Sequence, residues 1–302
     1  IPDVVIEGFG ARLPEIYVRQ MARKSPQPVW INLEYLSAES WIEDRHLMSS
    51  PQSWIPLAKY FYFPGFTERT GGLIREKSLI SEREIFQSDR LNAIRFLSQL
   101  GVKATIEQWI VSLFCYPDAP VAVLLDSFSK DEKNVLCLIP EGVATEQVSS
   151  FIGKSAMAGV CFEKGNLTIQ ILPMIEQDDF DRLLWSCDFN CVRGEDSFVR
   201  AQWAARPFVW HIYPQDEDAH MVKLHAFLDM YLAGLPKDVA ENIRRFQVFW
   251  NERKNKKSVS ENGMNLPEIA PQWGQYATEW FKKLTDRDDL ACGLLRFINT
   301  LR

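Results

Sequence analysis

The chain has 302 residues, 46% of them hydrophobic and 25% charged, with a formal net charge of −6. That length suggests about two domains, each able to bury a sizeable core. The acidic balance argues against a generic polyanion such as bulk nucleic acid, and no apolar run is long enough for a membrane span or a secretory leader, so the cytoplasm is the expected compartment.

From the N-terminus, "DVVIEGF" reads as a buried strand and "LPEIYVRQMARKS" as a helix with Pro14 near its first turn. "PVWINLEYL" is a second strand, and "YFYFPGF" is a third extended stretch stopped by Pro64 and Gly65. "RLNAIRFLSQLG" is a helix ending at Gly101, a typical C-cap residue. The pattern resets at Lys103–Gln108, where "WIVSLFCY" opens a second series. It continues as helix "VAVLLDSFSK", strand "NVLCLIP", helix "TEQVSSFIG", strand "LTIQILP", helix "DDFDRLLWSC", strand "FNCVR", helix "SFVRAQWAA" and strand "PFVWHIY". Phe180, Leu183, Leu184 and Cys187 recur at i, i+3, i+4 and i+7, the spacing of one helix face. Helices follow over Ala219–Leu232 and Lys237–Trp250. "NERKNKKSVSENGMN" reads as a solvated loop, and the tail is helical with Leu290, Leu294, Ile298 and Leu301 on one stripe.

This alternation argues for an α/β protein. The expected domains are 1–107, a Rossmann-like unit that is N-terminally incomplete, and 108–265, a second Rossmann-like unit. Residues 266–302 are expected as helices packing back across the junction. A cleft between two parallel-sheet domains is the expected ligand site, beyond the carboxyl ends of the strands.

Several short motifs fail or have bland explanations. Gly8 and Gly10 give G-x-G after a strand, but Leu13 stands where the dinucleotide fingerprint needs its third glycine. The D-x-D pairs Asp179/Asp181 and Asp216/Asp218 lie at helix starts, where acids favour the dipole. There is no P-loop and no G-x-S-x-G, and the six cysteines form no C-x-x-C pair. Most cysteines sit in apolar runs and read as inert buried thiols. His211, at a strand end, fits a structural role slightly better than a catalytic one.

Four segments converge instead. Phe114 and Tyr116 follow the second domain's first strand, Gln177 precedes a helix, and "VRGEDSFVRAQW" and "WHIYPQ" finish two more strands. In a parallel sheet all would gather at one edge. A planar base could stack on an aromatic there and bond to Gln177, with a diphosphate at the helix start near Ser197. Four ordinary βα turns explain the same segments about equally well.

"VWINLEYLSAESW", "FYFPGFTERTGGLIRE", "LCLIPEGVA" and above all "LPMIEQDDFDRLLWSCDFNCVRGEDSFVRAQWAARPFVWHIYPQ" resemble the EarP family over essentially the whole chain. These are bacterial protein-arginine rhamnosyltransferases acting on translation elongation factor P. The resemblance implies a GT-B glycosyltransferase fold, two Rossmann-like domains facing across a cleft. It also implies TDP-β-L-rhamnose as donor, elongation factor P as acceptor on the N-terminal domain, inversion at the anomeric centre, and neither metal nor cofactor. The donor contacts it implies are Phe114, Tyr116, Gln177, Arg193, Glu195, Asp196, Ser197, Tyr213 and Gln215, with Glu195 important for activity. Family members carry a D-N-F-G-D-type loop whose aspartate is the expected general base. No such motif occurs here, so the chain reads as starting inside the N-terminal domain, and Glu7 is nearest in type. Two alternatives follow from that departure: a non-catalytic TDP-sugar binding module, or a nucleotide-sugar epimerase on the same fold.

Overall fold

The computed structural model describes residues 1–252 and 266–302, so the loop expected over 251–265 lies almost wholly outside the described residues. The chain forms two compact units. The smaller comprises Ile1–Glu76, His225–Met230 and Lys283–Arg302; the larger comprises Lys77–Leu224 and Tyr231–Lys282.

The smaller unit opens with β1 (Val4–Gly8), α1 (Glu15–Arg23), β2 (Val29–Leu33), the single-turn α2 (Trp41–Arg45), β3 (Ser49–Pro51) and β4 (Ala58–Tyr62). Its sheet runs β1-β2-β4-β3, parallel except for the short edge strand β3. Alternation along β2 explains the two-sided core. Trp30 points to one face, where it meets Val5, Leu57 and Val18 and Met21 of α1. Val29 and Ile31 point to the other. Gly8 and Gly10 close a tight turn in which the Ala11 N–H donates to the Gly8 carbonyl (3.0 Å).

The larger unit begins with α3 (Leu79–Gln87) and α4 (Arg90–Gln99). The next elements are β5 (Trp109–Leu113), α5 (Val121–Ser129), β6 (Val135–Pro140), α6 (Thr145–Ile152), β7 (Cys161–Lys164), β8 (Leu167–Leu172) and α7 (Gln177–Ser186). After them come β9 (Phe189–Arg193), α8 (Asp196–Ala204), β10 (Phe208–His211), α9 (Ala219–Tyr231, whose His225–Met230 stretch belongs to the smaller unit), α10 (Lys237–Asn251) and α11 (Leu266–Thr285). The sheet order is β10-β9-β5-β6-β8-β7, parallel except where β7 folds back on β8 as a hairpin. On one face Ile110, Leu136 and Leu138 pack under Phe96 and Leu97 of α4 and Leu183 of α7, together with Cys187. On the other, Phe189 meets Trp109, Phe246 and Trp273 ring to ring. Full burial of each such side chain is worth roughly 1.5–3 kcal/mol.

The unit boundary falls at Glu76/Lys77 rather than at 107. The physical reason is the apolar face of α4, which packs on α7 and the β5–β6 surface and so binds residues 77–107 to the larger sheet. The C-terminal helices are also divided: α11 belongs to the larger unit up to Lys282, while α12 (Leu290–Thr300) belongs to the smaller. The expected stripe Leu290, Leu294, Ile298 and Leu301 packs against Val29, Ile31 and Tyr62. Asp289 caps α12, accepting from the N–H groups of Ala291 and Cys292 (2.9 and 3.0 Å).

Cys115, Cys137, Cys187 and Cys191 are buried, and burial pushes the thiols of Cys137, Cys187 and Cys191 up, which suits inert core groups. Cys161 and Cys292 are exposed, against the general expectation, because β7 is an edge strand and Cys292 lies on the outer side of α12.

Candidate active site

In the larger unit β5, β9 and β10 are adjacent and parallel, so their carboxyl ends lie side by side. Arg193 is the last residue of β9, and His211 is the last of β10. Phe114 and Tyr116 follow β5 directly. The Arg193 guanidinium carbon sits 4.3 Å from the Phe114 ring centroid and 5.1 Å from that of Tyr116, a double cation–π contact. Its Nη1 donates to the Cys115 carbonyl (3.1 Å). Tyr116 also makes edge contacts with His211 (5.4 Å) and Tyr213 (5.5 Å). Burial raises the Tyr116 pKa, and the Arg193 charge opposes that rise.

Gly194 lets the chain leave β9. Its φ of +63° suits glycine, and a Cβ there would stand 2.8 Å from the Tyr116 hydroxyl. Its N–H donates to the His211 carbonyl (3.0 Å), and its carbonyl accepts from Trp210 Nε1 (2.7 Å). Trp210 is itself stacked flat on Phe198 at 3.7 Å. Glu195 is half-buried immediately before α8. The first intrahelical bond of α8 runs from the Val199 N–H to the Glu195 carbonyl (3.0 Å), and the electropositive end of the helix lies there.

Ser197 is buried at the turn: its Oγ accepts from the Arg193 N–H (2.9 Å) and donates back to the Arg193 carbonyl. A hydroxyl in a first helical turn finds nearby backbone easily, and here it closes the β9–α8 turn. Asp196 is exposed and accepts from Gln177 Nε2 (3.3 Å), which ties the start of α7 to the start of α8. Tyr213 is 64% exposed and stands over Tyr116. Gln215 turns toward α9, its N–H donating to His220 Nδ1 (3.3 Å).

The remaining candidates are spoken for structurally. Asp179 pairs with Arg182 (3.0 Å), and buried Asp181 pairs with buried Arg200 (3.2 Å). Asp216–Asp218 form a short exposed turn ahead of α9. Glu7 is buried, its carboxylate 3% exposed and ion-paired with Lys59. Gly194 and Asp118 are not among the expected site residues, and His211, which reads from sequence as slightly better suited to a structural role, has the Asp118 carboxylate 3.6 Å from its Nε2. Only the first had a local signal, a glycine directly after a strand.

This arrangement can take an anionic ligand at the Arg193–α8 junction with a planar group against the neighbouring rings. A model of the elongation-factor P (EF-P) rhamnosyltransferase family EarP matches residues 1–299. The chain is 43% identical over 296 residues to a protein-arginine rhamnosyltransferase of Pseudomonas aeruginosa, covering 98% of this chain and 78% of that one. It is 39% identical over 307 residues to the Shewanella oneidensis protein of the same description, with coverages of 98% and 77%. A solved structure described as the structural basis for EarP-mediated arginine glycosylation of translation elongation factor EF-P superposes with a TM-score of 0.72 at 29% identity, covering 98% of both chains.

Proposed function

This chain belongs to the EarP family and is a protein-arginine rhamnosyltransferase with the GT-B fold, and on that premise we propose that it transfers L-rhamnose from TDP-β-L-rhamnose to an arginine of translation elongation factor P, with inversion. The observation that carries the donor reading is the Arg193 guanidinium, seated over Phe114 and Tyr116 beside the start of α8. A diphosphate meets there a fixed cation and a row of N–H groups. The base lies against the aromatic group formed by Phe114, Tyr116 and Tyr213, with Gln177 and Asp196 at its rim and Gln215 more distant.

During transfer the bond from the sugar C1 to the diphosphate oxygen breaks, and a bond from C1 to the guanidinium nitrogen forms. The leaving TDP keeps the electron pair, and the attacking nitrogen loses a proton. Its charge is met by Arg193 and the α8 N–H groups, the kind of preorganised stabilisation that needs no reorganisation at the moment of reaction. No metal or cofactor is required in this scheme. Arginine is a poor nucleophile while protonated, with a pKa above about 12, so a carboxylate must orient it and accept the proton. Glu7 is unsuited to that role because Lys59 already holds it. Glu195, at the sugar end of the site, is assigned to hold the reacting groups in place. Elongation factor P places the reaction in the cytoplasm, and among the described residues no helix is long and apolar enough to cross a membrane.

Incubating elongation factor P with TDP-rhamnose and this protein should add one deoxyhexose to an arginine, as read by mass spectrometry, and EDTA should not prevent it. An unmodified acceptor would overturn the reading. Glu195→Ala should lower transfer by about two orders of magnitude or more while TDP binding and the melting temperature hold. Full transfer by that variant would remove Glu195 from the catalytic role.

A further inference from the structure

The peptide unit between Cys115 and Tyr116 is held at both of its polar atoms. Its carbonyl accepts from Arg193 Nη1 (3.1 Å), and its N–H donates to His211 Nδ1 (3.2 Å). The two clamps come from the ends of adjacent parallel strands, β9 and β10. The clamped peptide separates the two residues whose rings flank the Arg193 guanidinium. His211 is 2% exposed, its ring meets Trp250 of α10 at 6.3 Å, and Asp118 lies 3.6 Å from its Nε2. Buried Asn251 and Gln247 of α10 fix the backbone on either side, accepting from the Ile212 and Trp210 N–H groups (2.9 and 3.0 Å).

We propose that His211 is a positioning residue of the donor site: its Nδ1 fixes the Cys115–Tyr116 peptide and thereby aims Phe114 and Tyr116 at the nucleotide. The role rests on the donor reading given above. It requires the neutral imidazole with hydrogen on Nε2, toward Asp118, and a free lone pair on Nδ1. Protonation puts hydrogen on both nitrogens. Nδ1 then meets the Tyr116 N–H donor to donor, and the clamp opens. Among the described residues, Asp118 and Tyr116 from the loop after β5 face the ring, and Arg193 from β9 and Tyr213 beyond β10 lie against Tyr116. α10 contributes the uncharged Trp250.

Asn and Leu substitutions separate positioning from filling space. In His211→Asn the amide oxygen falls near the place of Nδ1 and cannot be protonated at ordinary pH. In His211→Leu the volume remains but the acceptor is gone. His211→Leu should raise KM for TDP-rhamnose roughly ten- to a hundredfold, the effect of leaving a buried N–H without an acceptor, with kcat within about threefold. Amide exchange at Tyr116 should quicken about tenfold or more in the same variant, without any ligand. His211→Asn should stay within about threefold of the parent in both. Calorimetry should show TDP affinity of the parent falling from about pH 7.5 to about pH 5.5 more steeply than that of His211→Asn.

A folded His211→Leu with KM within about twofold of the parent would overturn the proposal. So would an Asn variant as impaired as Leu. If the Leu variant does not fold, the pH comparison decides: parallel curves for parent and Asn overturn the proposal, and a flatter Asn curve supports it. If the parent binds no TDP at all, the donor reading fails. The exchange rates at Tyr116 then decide the clamp on their own, equal rates in parent and folded variant overturning it.

Discussion

Lys59 and Arg193 are both cations sandwiched by aromatic rings, one in each unit. The Lys59 ammonium lies 5.0 Å from the Trp30 ring and 5.9 Å from that of Phe61. Arg193 lies 4.3 and 5.1 Å from Phe114 and Tyr116. The difference is the third partner. Lys59 meets the buried carboxylate of Glu7, whereas Arg193 meets a neutral carbonyl and, among the described residues, pairs with no carboxylate. Ring faces and carbonyls hold a cation in place without cancelling its charge; a carboxylate cancels it. The same packing device is therefore structural in the smaller unit and leaves a usable positive charge in the larger one.

The most severe test of that contrast is Arg193→Ala. It should cut kcat/KM for rhamnosyl transfer about a thousandfold, roughly 4 kcal/mol of transition-state stabilisation, with little change in melting temperature. Transfer at the parent rate would erase the distinction. Lys59→Met should do the reverse: it strands the Glu7 carboxylate in the interior and costs about 3 kcal/mol of stability by denaturant titration, while residual folded protein still transfers. Adding Glu7→Gln should restore most of the loss, because the uncompensated charge disappears. A single variant as stable as the parent would show that the pair is not structural.

Acid offers a milder probe of the smaller unit. Burial lowers the His46 pKa to about 4, and its Nδ1 accepts from the Phe63 N–H (3.1 Å). The unfolded chain takes up the proton near pH 6.5 and the folded chain only near pH 4, so stability should fall as pH drops through that window and level off below it. With allowance for partial exposure the loss is at most about 2 kcal/mol. His46→Gln should flatten the curve; an unchanged slope would assign it to other groups. Gly194→Ala should have the smallest effect. It forces a side chain into a left-handed conformation against the Tyr116 hydroxyl, costing about 1–2 kcal/mol and raising the donor KM about tenfold. Tyr116→Phe in that background should recover part of the loss by removing the clashing oxygen.

How far each feature could be read from the sequence follows the range of the interactions that make it. The βα units from β5 to β10 were legible because each strand is a continuous apolar run and each helix carries a periodic face. The candidate site was legible as a set of strand ends, since adjacent parallel strands must place Phe114, Tyr116, Arg193 and Tyr213 together. β7 and α3 were not legible. β7 is exposed and exists through pairing with β8 rather than through a pattern of its own. α3 is tied down partly from elsewhere, with Gln87 donating to the carbonyls of Trp185 and Ala204 (3.3 and 3.0 Å).

The α/β alternation, the buried faces of α7 and α12, and a tight turn into a helix start at the end of β9 can be read from local sequence alone. Those features depend on local periodicity and local backbone freedom. The folded chain alone settles that residues 77–107 join the larger sheet, that Glu7 is neutralised by Lys59, and that the Ser197 hydroxyl is committed to the Arg193 backbone. It also settles that the Cys115–Tyr116 peptide is held from both sides. Apart from the short Ser197 turn, each of these joins elements far apart in sequence. Hydrogen-bond and charge partners across such distances are chosen by which strand ends the sheet brings together, and no local pattern encodes that choice.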